Sequence, residues 1–314
     1  MDRNAFKKMK AAIDIGTNTV LLLVGEVEDR DLKVVNERYR TPRLGKGVDE
    51  DRKLHPDSIA RVLEVLKEYK AIIDIDYPEC EKIYITATSA VRDAENRTQF
   101  LSLVKDQIGV DVRLLSGDEE AQFTYAGAHA TLEESEKDSF IVLDIGGGST
   151  EIAAGDGNDL KTFTSIDMGC VRFTERFLLH NPPLKEEIDL CRGAIQELLE
   201  YNKLQLPSKL KAIGVAGTMT SLAAINMQVT EADYDLFNGM VIDTPSLSKS
   251  IEIFSRHTHD QLLELSPEVL TGRADIFLAG LLILEGFLKY YNLSEIVVST
   301  GGIRHGTLLL SEKD

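Results

Sequence analysis

The chain has 314 residues, which is long for one hydrophobic core and predicts two domains of about 150 residues each. Hydrophobic residues make up 43% of the sequence and charged residues 28%, a composition typical of globular proteins and unlike that of disordered chains. The formal net charge of −17 argues against DNA or RNA as a partner, because nucleic-acid binding depends on a basic surface.

The first half of the chain predicts elements in the order β-β-β-α-β-α-β, from apolar runs bounded by turn residues. The first three strands follow one another directly and indicate an antiparallel meander. A helix is predicted from Ile59 to Tyr69, where apolar residues recur at helical spacing. The other predicted elements are strands at Ala11–Ile15, Val20–Glu26, Leu32–Arg40, Lys82–Ala87 and Asp111–Leu115, and a helix at Thr98–Ile108.

The second half begins the same order again. Its predicted elements are strands at Phe140–Asp144, Glu151–Ala154, Leu160–Ser165, Ala212–Val215 and Glu295–Ser299, and a helix at Lys185–Asn202. The most apolar stretch, Ile276–Leu284, is far shorter than the ~20 apolar residues of a membrane span. We therefore interpret it as a buried helix and expect no membrane partner.

Two related segments begin these halves and indicate an internal duplication. Asp14-Ile15-Gly16-Thr17-Asn18-Thr19 resembles Asp144-Ile145-Gly146-Gly147-Gly148-Ser149-Thr150. Each segment places a carboxylate at the end of a strand, then small residues at a turn, then hydroxyl side chains. Glycine allows close approach of a phosphoryl group, successive N–H groups form an anion-binding nest, and the carboxylate can hold a divalent cation. The pair of loops predicts a phosphate site.

Other phosphate motifs and cysteine chemistry are not indicated. The sequence has neither GxxxxGK[ST] nor a GxGxxG between a strand and a helix, which excludes a P-loop or Rossmann protein. Its three cysteines are far apart and lack CxxC spacing, so neither a disulfide framework nor a zinc site is predicted. With no export signal visible, we expect a cytoplasmic location.

Several motifs together resemble a known family. The two loops, with Ala216-Gly217-Thr218 and Thr300-Gly301-Gly302, look like the motifs of the superfamily containing actin, sugar kinases and heat-shock chaperones. Within it, Thr86 to Ala94, Leu115 to Ala121 and Asp144 to Glu151 resemble the short form of the exopolyphosphatase and guanosine pentaphosphate phosphohydrolase family. The resemblance covers essentially the whole chain.

The resemblance implies an α/β fold of two ribonuclease-H-like domains, each a mixed five-stranded sheet flanked by helices, with an active-site cleft between them. We expect the first, an actin-like ATPase-type domain, to comprise residues 1–121 and 300–314, and the second, which carries the Asp-Ile-Gly-Gly-Gly-Ser-Thr loop, to comprise residues 122–299. The implied activity is release of terminal orthophosphate from polyphosphate, or conversion of guanosine pentaphosphate to guanosine tetraphosphate. The family also implies Mg²⁺ or another divalent cation, and a homodimer as an assembly to test.

Residue roles are carried over only where the sequence matches the family motifs. Glu120 matches the general base, Asp144 and Glu151 the metal-binding carboxylates, and Arg92 a phosphate-binding arginine. We expect Asp14 to assist the metal. The expected phosphate-binding residues are Gly16, Thr17, Asn18, Gly146, Gly147, Gly148, Ser149 and Thr150, with Arg43 and Arg304 as further candidates.

Spacing alone leaves other interpretations open. Glu119 and Glu120 could both be acidic residues in the first turn of a helix, and the choice of Glu120 rests on the alignment of the pair. Arg92 could form a surface ion pair with Asp93, and Glu151 could face solvent from a strand. Alternative functions are a kinase or ATPase of the same superfamily and a non-catalytic alarmone-binding sensor.

Overall fold

In the computed structural model, residues 8–28, 31–133, 138–206, 210–228 and 236–311 are described. The chain divides into two compact units. The first contains residues up to Ala130 together with those from Ile303 onward, and the second is Thr131–Gly302. The chain therefore passes twice from one unit to the other.

The sheet of the first unit begins with the predicted meander. Its strands in the described residues are β1 (Lys8–Ile15), β2 (Val20–Glu28), β3 (Asp31–Arg40), β4 (Lys82–Ala87) and β5 (Val112–Leu114). The spatial order is β3-β2-β1-β4-β5, in which β1 is antiparallel to β2 and parallel to β4. Because β1 is parallel to β4, the carboxyl ends of both strands reach the same edge of the sheet, where Asp14 is paired with Thr86.

Helices cover both faces of this sheet, which explains why Ala11, Ala12 and Ile13 of β1 form a consecutive apolar run rather than alternating with polar residues. They are α1 (Val48–Asp51), α2 (Pro56–Asp76), α3 (Ser89–Asp93), α4 (Arg97–Ile108), α5 (Gly117–Thr131) and, from the end of the chain, α13 (Ile303–Leu310). Ala11, Ile13 and Ile15 of β1 join the larger core that includes α2 and α4. Ala12 faces the other way and joins a small cluster with Leu308 of α13.

The second unit repeats this arrangement and adds a strand. Its strands in the described residues are β6 (Ser139–Ile145), β7 (Thr150–Asp156), β8 (Asp159–Ile166), β9 (Lys211–Val215), β10 (Val241–Asp243) and β11 (Glu295–Val298). The order is β10-β11-β9-β6-β7-β8. The expected five-stranded sheet is thus extended to six by β10, an edge strand of three residues that pairs antiparallel with β11 and is too short to produce a sequence pattern.

The helices of the second unit surround a single large core. They are α6 (Cys170–Phe177), α7 (Lys185–Tyr201), α8 (Ala216–Met227), α9 (Thr244–Arg256), α10 (His259–Leu265), α11 (Pro267–Leu270) and α12 (Phe277–Tyr290). The apolar helix α12 is buried and packs against α6, α7 and α9, as its composition predicted. Among the described residues, no helix combines the length and apolar character needed to cross a membrane.

A bulge at corresponding places supports the duplication. In the first unit the pairing of β2 with β3 shifts register between Val24 and Gly25, and in the second unit that of β7 with β8 shifts between Ala154 and Gly155. Both shifts lie at the fifth and sixth residues of the strand that follows the predicted phosphate loop. The two loops therefore occupy equivalent positions in equivalent sheets, as the sequence predicted.

Candidate functional site

The first loop joins β1 to β2, and the segment Arg43–Gly45 donates hydrogen bonds to two of its carbonyl groups. The Gly16 N–H donates to the Thr19 carbonyl over 3.0 Å, which closes the turn. The backbone N–H of Arg43 donates to the Asn18 carbonyl over 3.0 Å, and that of Gly45 donates to the Thr17 carbonyl over 2.7 Å. The segment that contains Arg43 therefore orients the backbone of the first loop.

Gly45 makes this close approach possible. A Cβ atom at position 45 would lie 2.2 Å from Cγ2 of Thr17 and 3.1 Å from Cβ of Ala90. Arg43 adopts a left-handed conformation with φ of 57°, which turns the chain back toward the loop. Arg43 thus orients the first loop through its backbone N–H, and a contact of its half-buried side chain with phosphate stays a prediction.

Polar side chains from β4 and from the start of α3 complete the surroundings of the first loop. The Thr86 hydroxyl donates to Oδ1 of Asp14 over 3.0 Å, and Asp14 is 6% exposed. The Thr17 and Ser89 hydroxyls are hydrogen-bonded at 3.0 Å. Sequence reasoning assigned no role to Thr86 or Ser89. The parallel pairing of β1 with β4 was the signal that could have identified them.

Arg92 and Glu120 form an ion pair within the first unit. Nη1 of Arg92 contacts Oε1 of Glu120 and also donates to the Leu115 carbonyl over 2.9 Å. The Glu120 side chain is 3% exposed and that of Arg92 is 25% exposed. The family motif's arginine and its expected base are therefore adjacent, which excludes the interpretation of Arg92 as a residue paired only at the surface.

The neighbouring Glu119 has a different, structural role. It forms a capping box at the start of α5: the Ser116 N–H donates to Oε2 of Glu119 over 2.8 Å, and the Glu119 N–H donates to the Ser116 hydroxyl over 3.2 Å. Arg113 donates to Oε1 of Glu119 over 2.8 Å. Although partial burial raises the pKa of Glu119, the hydrogen bonds from Ser116 and Arg113 lower it overall. The side chain of Glu119 is thus occupied in helix capping.

The second loop joins β6 to β7, and its carbonyl groups are also bound from one side. The Gly146 N–H donates to the Ser149 carbonyl over 3.0 Å. The Cys170 N–H donates to the Gly146 carbonyl over 2.9 Å, and the N–H groups of Val171 and Arg172 donate to the Gly147 carbonyl over 2.9 and 3.1 Å. Nε of Arg172 donates to the Gly148 carbonyl over 2.7 Å. Sequence reasoning assigned no role to this segment, whose pattern resembles an ordinary helix start.

The amide groups at the tip of the second loop remain available. Within the part of the chain that the structure describes, the N–H groups of Gly147, Gly148 and Ser149 donate no hydrogen bond. Three successive amides with bound carbonyls and available N–H groups have the arrangement of an anion-binding nest. The Thr150 hydroxyl donates to the Met168 carbonyl, and its expected contact with phosphate stays a prediction.

Asp144 and Glu151 lie directly opposite each other on β6 and β7, on either side of the second loop. They are 6% and 2% exposed, which excludes the solvent-facing interpretation of Glu151. Cross-strand neighbours project from the same face with Cβ atoms about 5 Å apart, and two like charges so placed are unfavourable. The Ser165 hydroxyl, from the next strand, donates to Oε1 of Glu151 over 2.7 Å and fixes its orientation.

These two carboxylates suit a hard divalent cation. Mg²⁺ is usually held by one or two carboxylates together with waters and substrate phosphates, rather than by a full set of protein ligands. The described residues contain no group of three or more His, Cys, Asp or Glu side chains placed to hold a metal. Asp144 and Glu151 would supply the protein ligands, and the role of Asp14 stays a prediction.

Arg304 has a well-defined place within the first unit. It is 9% exposed, donates to the Leu22 carbonyl over 3.1 Å and forms an ion pair with Glu37 at 3.0 Å. These contacts hold α13 against β2 and β3, so the buried position of Arg304 is explained without a ligand. Its expected contact with phosphate stays a prediction.

Cys170 and Cys191 are unsuited to nucleophilic catalysis. Like Cys80, they are free thiols. Burial raises the pKa of Cys170 to about 11 and that of Cys191 to about 12, so both remain neutral near pH 7. Although Cys170 adjoins the second loop, its contribution is the backbone hydrogen bond to Gly146.

Comparison with known proteins identifies the family. A model of the Ppx/GppA phosphatase family matches residues 23–314. Exopolyphosphatase 2 of Mycobacterium tuberculosis is 34% identical in an alignment of 286 positions that covers 88% of this chain and 88% of that protein. A guanosine-5'-triphosphate,3'-diphosphate pyrophosphatase of Photobacterium profundum is 30% identical, over 98% of this chain and 60% of that protein.

Two further similarities concern length and fold. A bifunctional 3-dehydroquinate synthase/phosphatase of Fusobacterium nucleatum is 31% identical over 96% of this chain, which spans only 46% of that protein. The solved structure of the Aquifex aeolicus PPX-GPPA enzyme superimposes with a TM-score of 0.80 at 31% identity, covering 96% of this chain and 99% of the other. The resemblance predicted from the motifs is thereby confirmed, and the chain belongs to the Ppx/GppA phosphatase family.

Proposed function

We propose that this protein hydrolyses the terminal phosphoanhydride bond of inorganic polyphosphate, of guanosine pentaphosphate, or of both, and releases orthophosphate. Its membership of a phosphatase family supports hydrolysis. The names of two relatives, an exopolyphosphatase and a guanosine-5'-triphosphate,3'-diphosphate pyrophosphatase, support these two substrates. Both substrates end in a phosphoanhydride, so the same chemistry serves either one.

The second loop is the observation that carries the proposal. Its three available N–H groups, at Gly147, Gly148 and Ser149, lie between two buried carboxylates in the sequence, Asp144 and Glu151. Backbone N–H groups bind phosphoryl oxygens, whereas carboxylates repel them unless a cation intervenes. We propose that the N–H groups bind the terminal phosphates and that Asp144 and Glu151 hold Mg²⁺. When bound, Mg²⁺ would neutralise the charge that develops on the transferred phosphoryl group.

The first loop has a related role in the proposal. Its carbonyl groups at Thr17 and Asn18 are bound by the segment from Arg43 to Gly45, as those of the second loop are bound by Cys170 to Arg172. We propose that Thr17 and Asn18 bind a phosphate group through backbone N–H groups, and that Gly16, whose own N–H closes the turn, allows the phosphate to approach the backbone. Asp14, fixed by Thr86, would attract a cation to this loop.

The ion pair of Arg92 and Glu120 supplies the remaining chemistry. We propose that Glu120 accepts a proton from the attacking water and that Arg92 binds phosphate. Arg92 also orients the Glu120 carboxylate, because its guanidinium is anchored on the Leu115 carbonyl. General-base catalysis requires a positioned carboxylate, and a buried one paired with a fixed guanidinium meets that requirement.

A phosphate-release assay with purified protein tests the proposal. Orthophosphate is measured with polyphosphate and with guanosine pentaphosphate as substrates, each with Mg²⁺ and with EDTA. We expect Mg²⁺-dependent release from at least one of them. No release from either, or transfer of phosphate to an added alcohol or acid rather than to water, would reject the proposed function.

Two expectations about the cellular context accompany the proposed function. We propose a cytoplasmic location, which the three free thiols support because reduced cysteines are typical of a reducing compartment. A homodimer remains a proposal, and sedimentation of the purified protein tests it. The net charge of −17 supports the expectation that DNA and RNA are not partners.

A further inference from the structure

The segment that follows β8 packs directly against the second loop. A Cβ atom at Gly169 would lie 2.4 Å from both the carbonyl carbon and oxygen of Gly147, and 2.5 Å from the Gly148 nitrogen. These are backbone atoms, which cannot move aside as a flexible side chain could. Residue 169 therefore has to be glycine for the segment from Cys170 to Arg172 to reach the loop.

This segment determines where the amides of the second loop point. In a trans peptide, the carbonyl and the N–H of the same peptide unit point in opposite directions. The carbonyls of Gly146, Gly147 and Gly148 are bound by Cys170, by Val171 with Arg172, and by Arg172 again. The N–H groups of those same three peptide units belong to Gly147, Gly148 and Ser149, the groups that remain available. The segment thus aims all three N–H groups away from itself.

Arg172 differs from the other donors because it carries charge. It contributes a backbone N–H to Gly147 and a side-chain Nε–H to Gly148, at 3.1 and 2.7 Å, and it is 6% exposed. A hydrogen bond from a charged donor is stronger than one from a neutral donor, and it polarises the peptide that accepts it. The peptide in question ends in the Ser149 N–H, which becomes a better donor to an anion.

We infer that Arg172 is a positioning residue of the second phosphate loop. Its guanidinium fixes and polarises the Gly148–Ser149 peptide, so that the Ser149 N–H binds a phosphoryl oxygen of the substrate. Arg172 acts through the loop and does not touch the substrate. This inference rests on the proposed function, because it assigns a role within the same phosphate site.

Three substitutions separate the charge of Arg172 from its hydrogen bond. Arg172→Gln places an amide nitrogen where Nε was, and so keeps a donor while it removes the charge. Arg172→Lys keeps the charge but has a methylene group at that position. Arg172→Met removes both and keeps most of the volume. Arg176→Gln is the matched control, because Arg176 lies one turn later on the same helix and is exposed.

The test compares the Kd of inorganic tripolyphosphate and the steady-state constants for polyphosphate hydrolysis. Kd is measured by calorimetry with Mg²⁺ in a Glu120→Gln background, where turnover does not interfere. We expect Arg172→Met to raise Kd and KM about tenfold or more, because it weakens the hydrogen bond between the Ser149 N–H and a charged phosphoryl oxygen. The change in kcat should be much smaller. The Kd and KM values of Arg172→Gln and Arg172→Lys should lie between those of the protein that retains Arg172 and those of Arg172→Met. Arg176→Gln should match the wild type.

The outcomes are distinguishable from a failure of the proposed function. A wild-type protein that hydrolyses neither polyphosphate nor guanosine pentaphosphate would reject the proposed function, and if it hydrolyses only guanosine pentaphosphate, the steady-state constants are compared with that substrate. The Glu120→Gln protein is the parent for the binding comparison. If the parent binds and the folded Arg172 variants bind within twofold of it, the role of Arg172 is overturned. Thermal melts establish folding, and if Arg172→Met does not fold, the Gln variant, which retains a donor at the same place, decides the question.

Discussion

The adjacent residues Glu119 and Glu120 provide an internally controlled test of the catalytic assignment. Replacement by Gln removes one negative charge in each case and keeps the size of the side chain. Glu119→Gln keeps the capping box, because Gln completes it as well as Glu does. The variant loses the ion pair with Arg113. Because the side chains of Arg113 and Glu119 are 40% and 32% exposed, we expect this loss to lower the free energy of unfolding by less than about 1 kcal/mol.

Glu120→Gln should behave very differently. The loss of a general base is expected to lower kcat by about 10²- to 10⁴-fold. The substitution also removes the charge partner of Arg92. Breaking a fully buried pair costs about 3–5 kcal/mol. Because the Arg92 side chain is 25% exposed and water can solvate it, the cost here should fall below that range.

The two variants are compared by orthophosphate release at saturating substrate and Mg²⁺, with a thermal melt of each protein under the same conditions. We expect Glu119→Gln to retain activity within about threefold of the wild type, since its side chain is used for capping. A folded Glu120→Gln variant with activity within tenfold of Glu119→Gln would refute the assignment of Glu120 as the base.

Three further predictions concern metal binding and the dependence of stability on pH. Asp144→Asn should abolish the rise in melting temperature that Mg²⁺ gives the wild type, because stabilisation by a ligand requires its site; an equal rise in both proteins would contradict the assignment. Burial, together with the charge of Arg304, lowers the pKa of His305 from 6.5 to about 3. Between pH 6.5 and pH 3, His305 is therefore protonated in the unfolded chain but neutral in the folded protein. Stability should therefore fall from pH 6.5 toward pH 3, by about 1.4 kcal/mol per pH unit from this group, and urea unfolding of His305→Asn should show a shallower fall. Burial raises the pKa of Glu187, but hydrogen bonds from His180 and the N–H groups of Leu184, His180 and Leu179 lower it overall, from 4.5 to about 2. The stabilisation by Glu187 is thus present above pH 4.5 and lost as the pH falls toward 2, and Glu187→Gln should remove this loss from the unfolding profile.

Local sequence patterns were sufficient to predict the meander strands and both loops. β1 contains the apolar run Ala11–Ile13 and β6 the run Phe140–Leu143, and each strand leads into an Asp-Ile-Gly turn that is visible in the sequence. The duplication follows from comparing the two turns. The strand β10 was missed because three residues, of which Ile242 alone is buried, carry no periodicity.

The surroundings of the loops were harder to predict because they depend on long-range register. Ser165 reaches Glu151 only because β7 and β8 pair with those residues opposite each other. Glu119 and Glu120 are equivalent in sequence spacing, and their separation into a capping residue and a buried partner of Arg92 depends on packing against Leu115 and Arg92. Arg172 gave no signal, because a buried guanidinium under a loop looks in sequence like any arginine in a helix.

Hydrolysis in H₂¹⁸O measures the central claim most directly, because it identifies the nucleophile and the phosphorus atom that it attacks. The wild-type protein is incubated with polyphosphate or guanosine pentaphosphate and Mg²⁺, and the products are analysed by mass spectrometry. Attack by water on the terminal phosphoryl group predicts one ¹⁸O atom in each released orthophosphate and none in the remaining chain or nucleotide. Label in the remaining chain, or phosphate found on an acceptor other than water, would contradict the proposed reaction.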